Sequence, residues 1–79
     1  MGYNIIMAYY NYHAKAQNLI KDGHCVKAEM VDKHNGISPA LVLYFDNHIP
    51  MPIREHMFFA YFALLTRNNV TIIDLSSDN

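Results

Sequence analysis

The chain has 79 residues and carries six basic and seven acidic side chains, for a net charge of −1 at neutral pH. This length corresponds to one domain, and the single cysteine, Cys25, excludes a scaffold held by an intramolecular disulfide. The balanced charge argues against a surface for duplex nucleic acid, which normally presents a basic face. The first residues lack the basic segment and the cleavage site of a signal peptide, so we expect a cytoplasmic protein.

The first element is a predicted helix from about Ala8 to Asp22, where apolar and polar residues recur with helical spacing. Gly23 stands where such a helix would end with a residue in the left-handed conformation. Residues 3–7 are compatible with a short strand or with a leader to the helix. Tyr10 falls outside the apolar stripe, and we expect its side chain to be exposed. The stripe itself consists of Tyr9, Tyr12, Ala16, Leu19 and Ile20.

Three strands of an antiparallel meander are predicted next. The segment Cys25–Lys33 alternates apolar and polar residues, as a half-buried strand does. The segment Ala40–Phe45 is apolar on both faces, which is typical of a central strand. A third strand, Ile49–Ile53, follows a short polar turn, and the Asn35-Gly36 pair marks a hairpin between the first two strands.

The prolines of the third strand restrict its register. Pro50 and Pro52 are two residues apart, so their missing N–H donors lie on the same lateral side of the strand. If Phe45 pairs with Ile49, both prolines face the open edge of the sheet, where proline is tolerated. An edge without these donors is a poor template for a further strand, which leaves the outer edge of the first strand as a second docking candidate.

The same register extends to the first hairpin. It places Lys33 opposite Ser38 around a four-residue loop, which we favour over a tight two-residue Asn-Gly turn. One face of the meander then carries the residues expected in the core. These residues are Val26, Ala28, Met30, Leu41, Leu43 and Phe45.

A second helix is predicted over Glu55–Arg67, with a strand over Val70–Leu75 after it. The run Met57–Leu65 makes the apolar stripe of this helix wider than the roughly 100° needed to face a sheet. The same run is far shorter than the ~20 residues that span a membrane. Burying a large apolar side chain stabilises a protein by about 1.5–3 kcal/mol, and a side chain left in water does not contribute this free energy. We therefore expect a second molecule to cover part of this helix.

These elements predict a single α+β domain over residues 1–79, with residues 76–79 frayed. Its core is a three-stranded antiparallel meander flanked by two helices in the order α-β-β-β-α. A short terminal strand is allowed at each end, over residues 3–7 and 70–75. The alternative takes residues 3–7 as the first strand of a ferredoxin-like β-α-β-β-α-β order, but it leaves Ile49–Ile53 without a place in the sheet.

The histidines and the cysteine form no recognisable metal or catalytic motif. No two of the five histidines have the close spacing of zinc ligands, and a lone Cys25 lacks the base that a nucleophile needs beside it. We therefore expect no metal and no cofactor. The histidines are His13, His24, His34, His48 and His56.

Two functions remain open at this point. The leading hypothesis is a small non-enzymatic protein-interaction module, a regulator or inhibitor that docks on a protein partner and forms a homodimer. Aromatic residues are preferred at such interfaces, and we expect neither a membrane nor nucleic acid among the partners. The predicted interface consists of Tyr10, Phe59, Phe62 and Ala63.

The alternative is a small RNA-binding module or RNA-acting enzyme that uses His48, Arg54 and His56 near the junction of the third strand and the second helix. In topology only, the α-β-β-β-α order resembles double-stranded-RNA-binding domains and small interferase toxins. The Gly-Ser-His strand motif of the toxins is absent. Glu55 stands near the helix start, where the RNA-binding domains have basic residues.

Overall fold

A computed structural model describes the backbone of residues 2–77 and the side chains of residues 10–77. Within this range the chain has an α+β fold, with two helices packed on a four-stranded mixed sheet. Part of the predicted frayed tail, residues 78–79, lies outside the described residues. The elements in chain order are α1 (Gly2–Lys21), β1 (Cys25–Val31), β2 (Ala40–Phe45), β3 (Met51–Arg54), a 3₁₀ turn (Glu55–Met57), α2 (Phe58–Arg67) and β4 (Ile72–Asp74).

The sheet has the strand order β3-β2-β1-β4. Strands β1, β2 and β3 form the antiparallel meander that the sequence predicts, and β4 adds a fourth strand parallel to β1. The parallel pair arises because α2 carries the chain back across the sheet before it enters β4. The strand predicted over residues 70–75 therefore forms, as the shorter segment Ile72–Asp74. The sheet as a whole is mixed, not purely antiparallel.

Strand β4 occupies the outer edge of β1. The N–H of Ala28 donates a hydrogen bond of 2.9 Å to the carbonyl of Thr71, and the N–H of Leu75 donates one of 2.8 Å to the carbonyl of Met30. The prediction that this edge is free for a partner is therefore wrong. The C-terminal strand of the same chain already satisfies the hydrogen-bonding groups there.

Residues 3–7 are helical, because α1 begins at Gly2. Of the two alternatives left open for this segment, the short strand is wrong and the leader to the helix is what the structure has. The ferredoxin-like alternative, which needs that strand, is wrong as well. Ile5 and Ile6 favour a strand by propensity, but a strand needs a partner edge. The prolines of β3 restrict one edge of the sheet, and the other edge consists of the three residues of β4. A helix satisfies its backbone groups internally, and this is the form that the segment takes.

The register that the prolines predict for the third strand is confirmed. Leu43 pairs with Met51, in the alignment that would next pair Phe45 with Ile49. The ladder ends before that pair, and Ile49 lies in the loop with 73% of its surface exposed. Strand β3 is an edge strand of the sheet, as the argument from the prolines requires.

The first hairpin has the predicted register but not the predicted loop. His34 and Ile37 exchange two backbone hydrogen bonds of 2.8 and 2.9 Å. Between them Asn35 has a φ of 50° and Gly36 a φ of 85°, as a tight type I′ turn requires. The predicted four-residue loop is therefore wrong. The pairing of the two strands continues in the predicted register up to His34 and Ile37, which leaves only two residues in the turn.

A bulge interrupts the pairing at the start of β1. Cys25 pairs with Phe45 and Lys27 with Tyr44, so Val26 is one residue in excess of its partner strand. Cys25 is buried, whereas Val26 is 57% exposed. The prediction that Val26 belongs to the core is wrong, since the bulge turns its side chain outward.

Both helices cover the same face of the sheet and share one core with it. Helix α1 ends at Lys21. Gly23 follows in the left-handed conformation that the sequence predicts, with a φ of 84°, and its N–H donates to the carbonyl of Ile20 at 3.1 Å. In the described range, neither helix has both the length and the apolar character needed to cross a bilayer. The buried core consists of Ala16, Ile20, Cys25, Ala28, Leu41, Leu43, Met51, Ile53, Tyr61 and Leu65.

Candidate functional site

Helix α2 turns most of its apolar residues toward the sheet. Tyr61 and Leu65 are fully buried, and four further residues of this segment pack against the core at its margin. Phe59 points away from the sheet and is 87% exposed. The four marginal residues are Met57, Phe58, Phe62 and Leu64.

The four residues predicted as an interface belong to the helical layer, and we refer to them as the helix surface: Tyr10, Phe59, Phe62 and Ala63. Tyr10 is 63% exposed, Ala63 is exposed and Phe62 is half-buried. The rings of Phe59 and Phe62 meet edge to face with their centroids 6.3 Å apart. Because Tyr10 is on α1 and the other three are on α2, the helix surface includes both helices.

The exposed apolar area of α2 is smaller than the sequence suggests. Strand β4 widens the sheet, and Val70 and Ile72 pack against the core beside it. The rings of Phe58 and Phe62 also pack against the margin of the core, and they contact each other with their centroids 5.8 Å apart. One ring of this helix, that of Phe59, remains almost wholly in water.

A groove of about 780 Å³ lies between α1 and the open edge of β3, and we name it the α1–β3 groove. It brings together the three residues of the RNA hypothesis: His48 from the loop before β3, Arg54 from the end of β3, and His56 from the 3₁₀ turn. Helix α1 adds His13 and Lys15. None of the described residues that line the groove is acidic.

Tyr12 fixes α1 against the open edge of β3. Its hydroxyl donates a hydrogen bond of 2.8 Å to the backbone carbonyl of Pro52. Burial raises the pKa of Tyr12, and the nearby positive charge of Arg54 partly offsets this rise. Tyr12 therefore forms a fixed part of the groove wall, with the guanidinium of Arg54 close to it.

His13 is held in place by a buried tyrosine of α2. Its Nδ1 lies 2.7 Å from the hydroxyl oxygen of Tyr61, and the two ring centroids are 5.7 Å apart. Burial lowers the pKa of His13, and the nearby imidazole of His56 lowers it further because two positive rings repel each other. His13 is thus mainly neutral at pH 7 and serves the groove as a hydrogen-bonding ring more than as a charge.

His48 is oriented by its own loop. Its Nδ1 lies 2.9 Å from the carbonyl oxygen of Ile49, and its ring meets that of Phe45 edge to face at a centroid distance of 6.1 Å. A carbonyl oxygen only accepts hydrogen bonds, so Nδ1 carries a proton in this arrangement. In the neutral ring, Nε2 is then left as an acceptor for a ligand.

Sequence reasoning did not select Tyr12, His13 or Lys15 as members of this site. Tyr12 and Lys15 are three residues apart on a helix and so are neighbours on its surface. This spacing places them together but does not tell which strand edge they face. The packing of α1 beside β3 brings them to Arg54 and His56, and no local signal in the sequence predicts it.

The described residues offer no second site of obvious chemistry. The Cys25 thiol is buried and donates a hydrogen bond of 3.4 Å to the carbonyl of Lys27. Burial raises the pKa of Cys25, which makes the thiol a poor nucleophile at neutral pH. Within residues 10–77, no three His, Cys, Asp or Glu side chains are grouped so that they could hold a metal ion.

Comparisons with protein-family models, with curated proteins and with solved structures found no match to this chain. No function is therefore transferred from another protein. The helix surface and the α1–β3 groove are the two features of the molecule from which a function can be inferred.

Proposed function

We propose that this protein is a small non-enzymatic interaction module, a cytoplasmic regulator or inhibitor that acts by docking through the helix surface and that associates with a second copy of itself. The observation that carries the proposal is the exposure of Phe59, a large apolar ring of which 87% is in water. Exposed aromatic rings of this kind are typical anchors of protein interfaces.

A second copy of the chain is the occupant that the charges of the helix surface favour. Helix α2, with the sequence FFAYFALLTR, carries a single charged residue, Arg67 at its end. In a two-fold symmetric contact each patch meets its own copy. An uncharged patch can do so without repulsion between like charges, whereas a charged partner would find nothing complementary here.

The free energies of burial and association indicate a weak and reversible dimer. Burying Phe59 and Tyr10 of both protomers contributes about 2 kcal/mol per ring, or about 8 kcal/mol in all. Association itself costs at least about 4 kcal/mol. The remainder is therefore at most about 4 kcal/mol for these four rings, which corresponds to a dissociation constant of about 1 mM or weaker. Burial of Phe62 and Ala63 adds to the affinity.

The test is sedimentation velocity from about 10 µM to about 1 mM protein, the range in which such a dimer would form. We expect the average mass of the wild-type protein to rise with concentration toward that of a dimer. The variant Phe59→Ser, which removes the ring without adding a charge, should stay monomeric. Circular dichroism checks that the variant keeps its fold.

The matched control is Val26→Ser, which removes another exposed apolar side chain from the bulge of β1, outside the helix surface. It should dimerise like the wild-type protein. The proposal fails if the wild-type protein is monomeric at the highest concentration. It also fails if Val26→Ser and Phe59→Ser weaken the dimer equally.

A further inference from the structure

The α1–β3 groove has a charge that differs from that of the rest of the chain. Lys15 and Arg54 line it together with three histidines, and no described lining residue is acidic. The chain as a whole has one more acidic than basic residue. The four Lys and Arg side chains elsewhere are therefore outnumbered by the seven acidic ones. A positive groove in a slightly negative protein indicates an anionic ligand.

We propose that the α1–β3 groove binds single-stranded nucleic acid, with Lys15 and Arg54 on its phosphates and the rings that line the groove against its bases. This site is independent of the helix surface and does not rest on self-association. Phosphate contacts from Lys and Arg supply most of the affinity in such complexes. Stacking on rings adds to it without sequence preference.

The length of the groove suits a polymer better than a single phosphate. Arg54 lies at one end of β3 and His48 in the loop beyond its other end. Four strand residues span about 10 Å, whereas adjacent phosphates of a stacked strand are roughly 3.4 Å apart along its axis. A ligand that follows β3 therefore passes both residues and presents more than one phosphate to the groove.

The surfaces between the charges suit exposed bases. His48 and Tyr12 contribute half-buried rings, and the exposed apolar side chains of Ile49 and Pro50 line the groove beside them. Unpaired bases present flat apolar faces to such a surface, whereas the bases of a duplex are stacked inside it. A duplex also needs a broad basic face, which the excess of acidic residues outside the groove does not provide.

An acidic peptide is a weaker fit to the same groove. Peptides that bind at an open sheet edge usually add a strand, which needs backbone donors on that edge. Pro50 and Pro52 have no N–H, and the carbonyl of Pro52 already accepts a hydrogen bond from the Tyr12 hydroxyl. A peptide would therefore be held by its charges alone.

The experiment measures fluorescence anisotropy of labelled oligouridylate and oligothymidylate at about 50 mM salt, where phosphate contacts are strongest. A duplex of equal length and a polyglutamate peptide serve as competing ligands. We expect both single strands to bind and the duplex and the peptide to bind at least about tenfold more weakly. A preference for oligouridylate over oligothymidylate would assign the site to RNA, and the reverse preference to DNA.

Matched substitutions distinguish the groove from general electrostatic attraction. Lys15→Gln and Arg54→Gln each remove one charge from the groove, whereas Lys21→Gln and Arg67→Gln remove the same charges from the ends of α1 and α2. The groove variants should bind at least about fivefold more weakly, and each should reduce the salt dependence by about one phosphate contact. The two control variants should bind as the wild-type protein does.

Three results would overturn the proposal. The first is the absence of binding to either single strand at low salt by the folded wild-type protein. The second is an equal loss in all four variants, which would show attraction without a defined site. The third is polyglutamate binding as tight as that of the oligonucleotides with the same dependence on Arg54, which would assign the groove to an acidic protein. Thermal melting of each variant confirms that losses do not come from unfolding.

Discussion

His13 lies where α1, α2 and the 3₁₀ turn meet. Its Nδ1 is 2.7 Å from the hydroxyl of the buried Tyr61. Burial and the neighbouring His56 both lower its pKa, so it takes up a proton less readily than in the unfolded chain, where histidine titrates near about 6.5. Because the unfolded state binds this proton more tightly, acid must shift the equilibrium toward unfolding.

We therefore expect the free energy of unfolding to be highest above about pH 7 and to fall as the pH drops through about 6.5 toward the lower pKa of the folded state. The variant His13→Asn keeps a polar atom near the position of Nδ1 but does not titrate. Its stability should depend less on pH over this range. Urea unfolding at about pH 7.5 and about pH 5.5 measures both proteins.

The two carboxyls with a lowered pKa, those of Asp32 and Asp74, act below this pH window. The serine hydroxyls of the C-terminal segment lower the pKa of the carboxyls of Asp32 and Asp74. A carboxyl whose pKa is lowered contributes stability that is lost only as the pH falls below its ordinary range of about 4. If His13→Asn lost as much stability as the wild-type protein between the two pH values, the environment of His13 would not be the cause.

At the scale of elements, the β1–β2 hairpin depends on two consecutive residues in the left-handed region. Asn35 and Gly36 have φ values of 50° and 85°, and this turn type matches the natural twist of the strands that it joins. Open space surrounds Gly36, since an added Cβ would meet no atom within 4 Å. Any cost of a side chain there must come from the backbone conformation itself.

We expect Gly36→Ala to destabilise the protein by about 1–2 kcal/mol, the cost of the left-handed conformation for a residue with a Cβ. Gly36→Asn is the matched control, because asparagine tolerates this region and should cost clearly less. Urea unfolding at one pH compares the two variants with the wild-type protein. Equal losses in both variants, or none in Gly36→Ala, would contradict a tight turn at this position.

At the scale of the whole molecule, features that follow from local rules could be predicted from the sequence. The parity of Pro50 and Pro52, together with the short turn before them, predicts the register of β3, and Gly23 predicts where α1 ends. Features that depend on distant contacts could not. The parallel pairing of β4 and the helical start of α1 depend on how the rest of the chain is arranged around the sheet. The bulge at Val26 interrupts the alternation of inward and outward side chains in β1, although apolar and polar residues go on alternating in the sequence there.

The residues of the α1–β3 groove also differ in whether local sequence could predict them. His48, Arg54 and His56 are close in sequence and could be grouped from it. His13 and Lys15 reach them only because α1 packs beside β3, where Tyr12 and Pro52 make a contact across 40 residues of chain. The positive charge of the groove is thus a property of the folded molecule, which explains why the balanced composition of the chain gave no sign of it.

Lys15 of the groove and Tyr10 of the helix surface lie on different sides of α1, and this separation has a measurable consequence. At about 100° per residue, Lys15 lies roughly 140° around the helix from Tyr10. We therefore expect Phe59→Ser to leave the binding of oligouridylate within about twofold of the wild-type value and Lys15→Gln to leave the dimer unchanged, because effects at distant sites add. Anisotropy and sedimentation on both variants and on the double variant measure this. Loss of dimer in Lys15→Gln, or a double variant that departs from the sum of the two single effects, would mean that one copy of the chain covers part of the groove of the other.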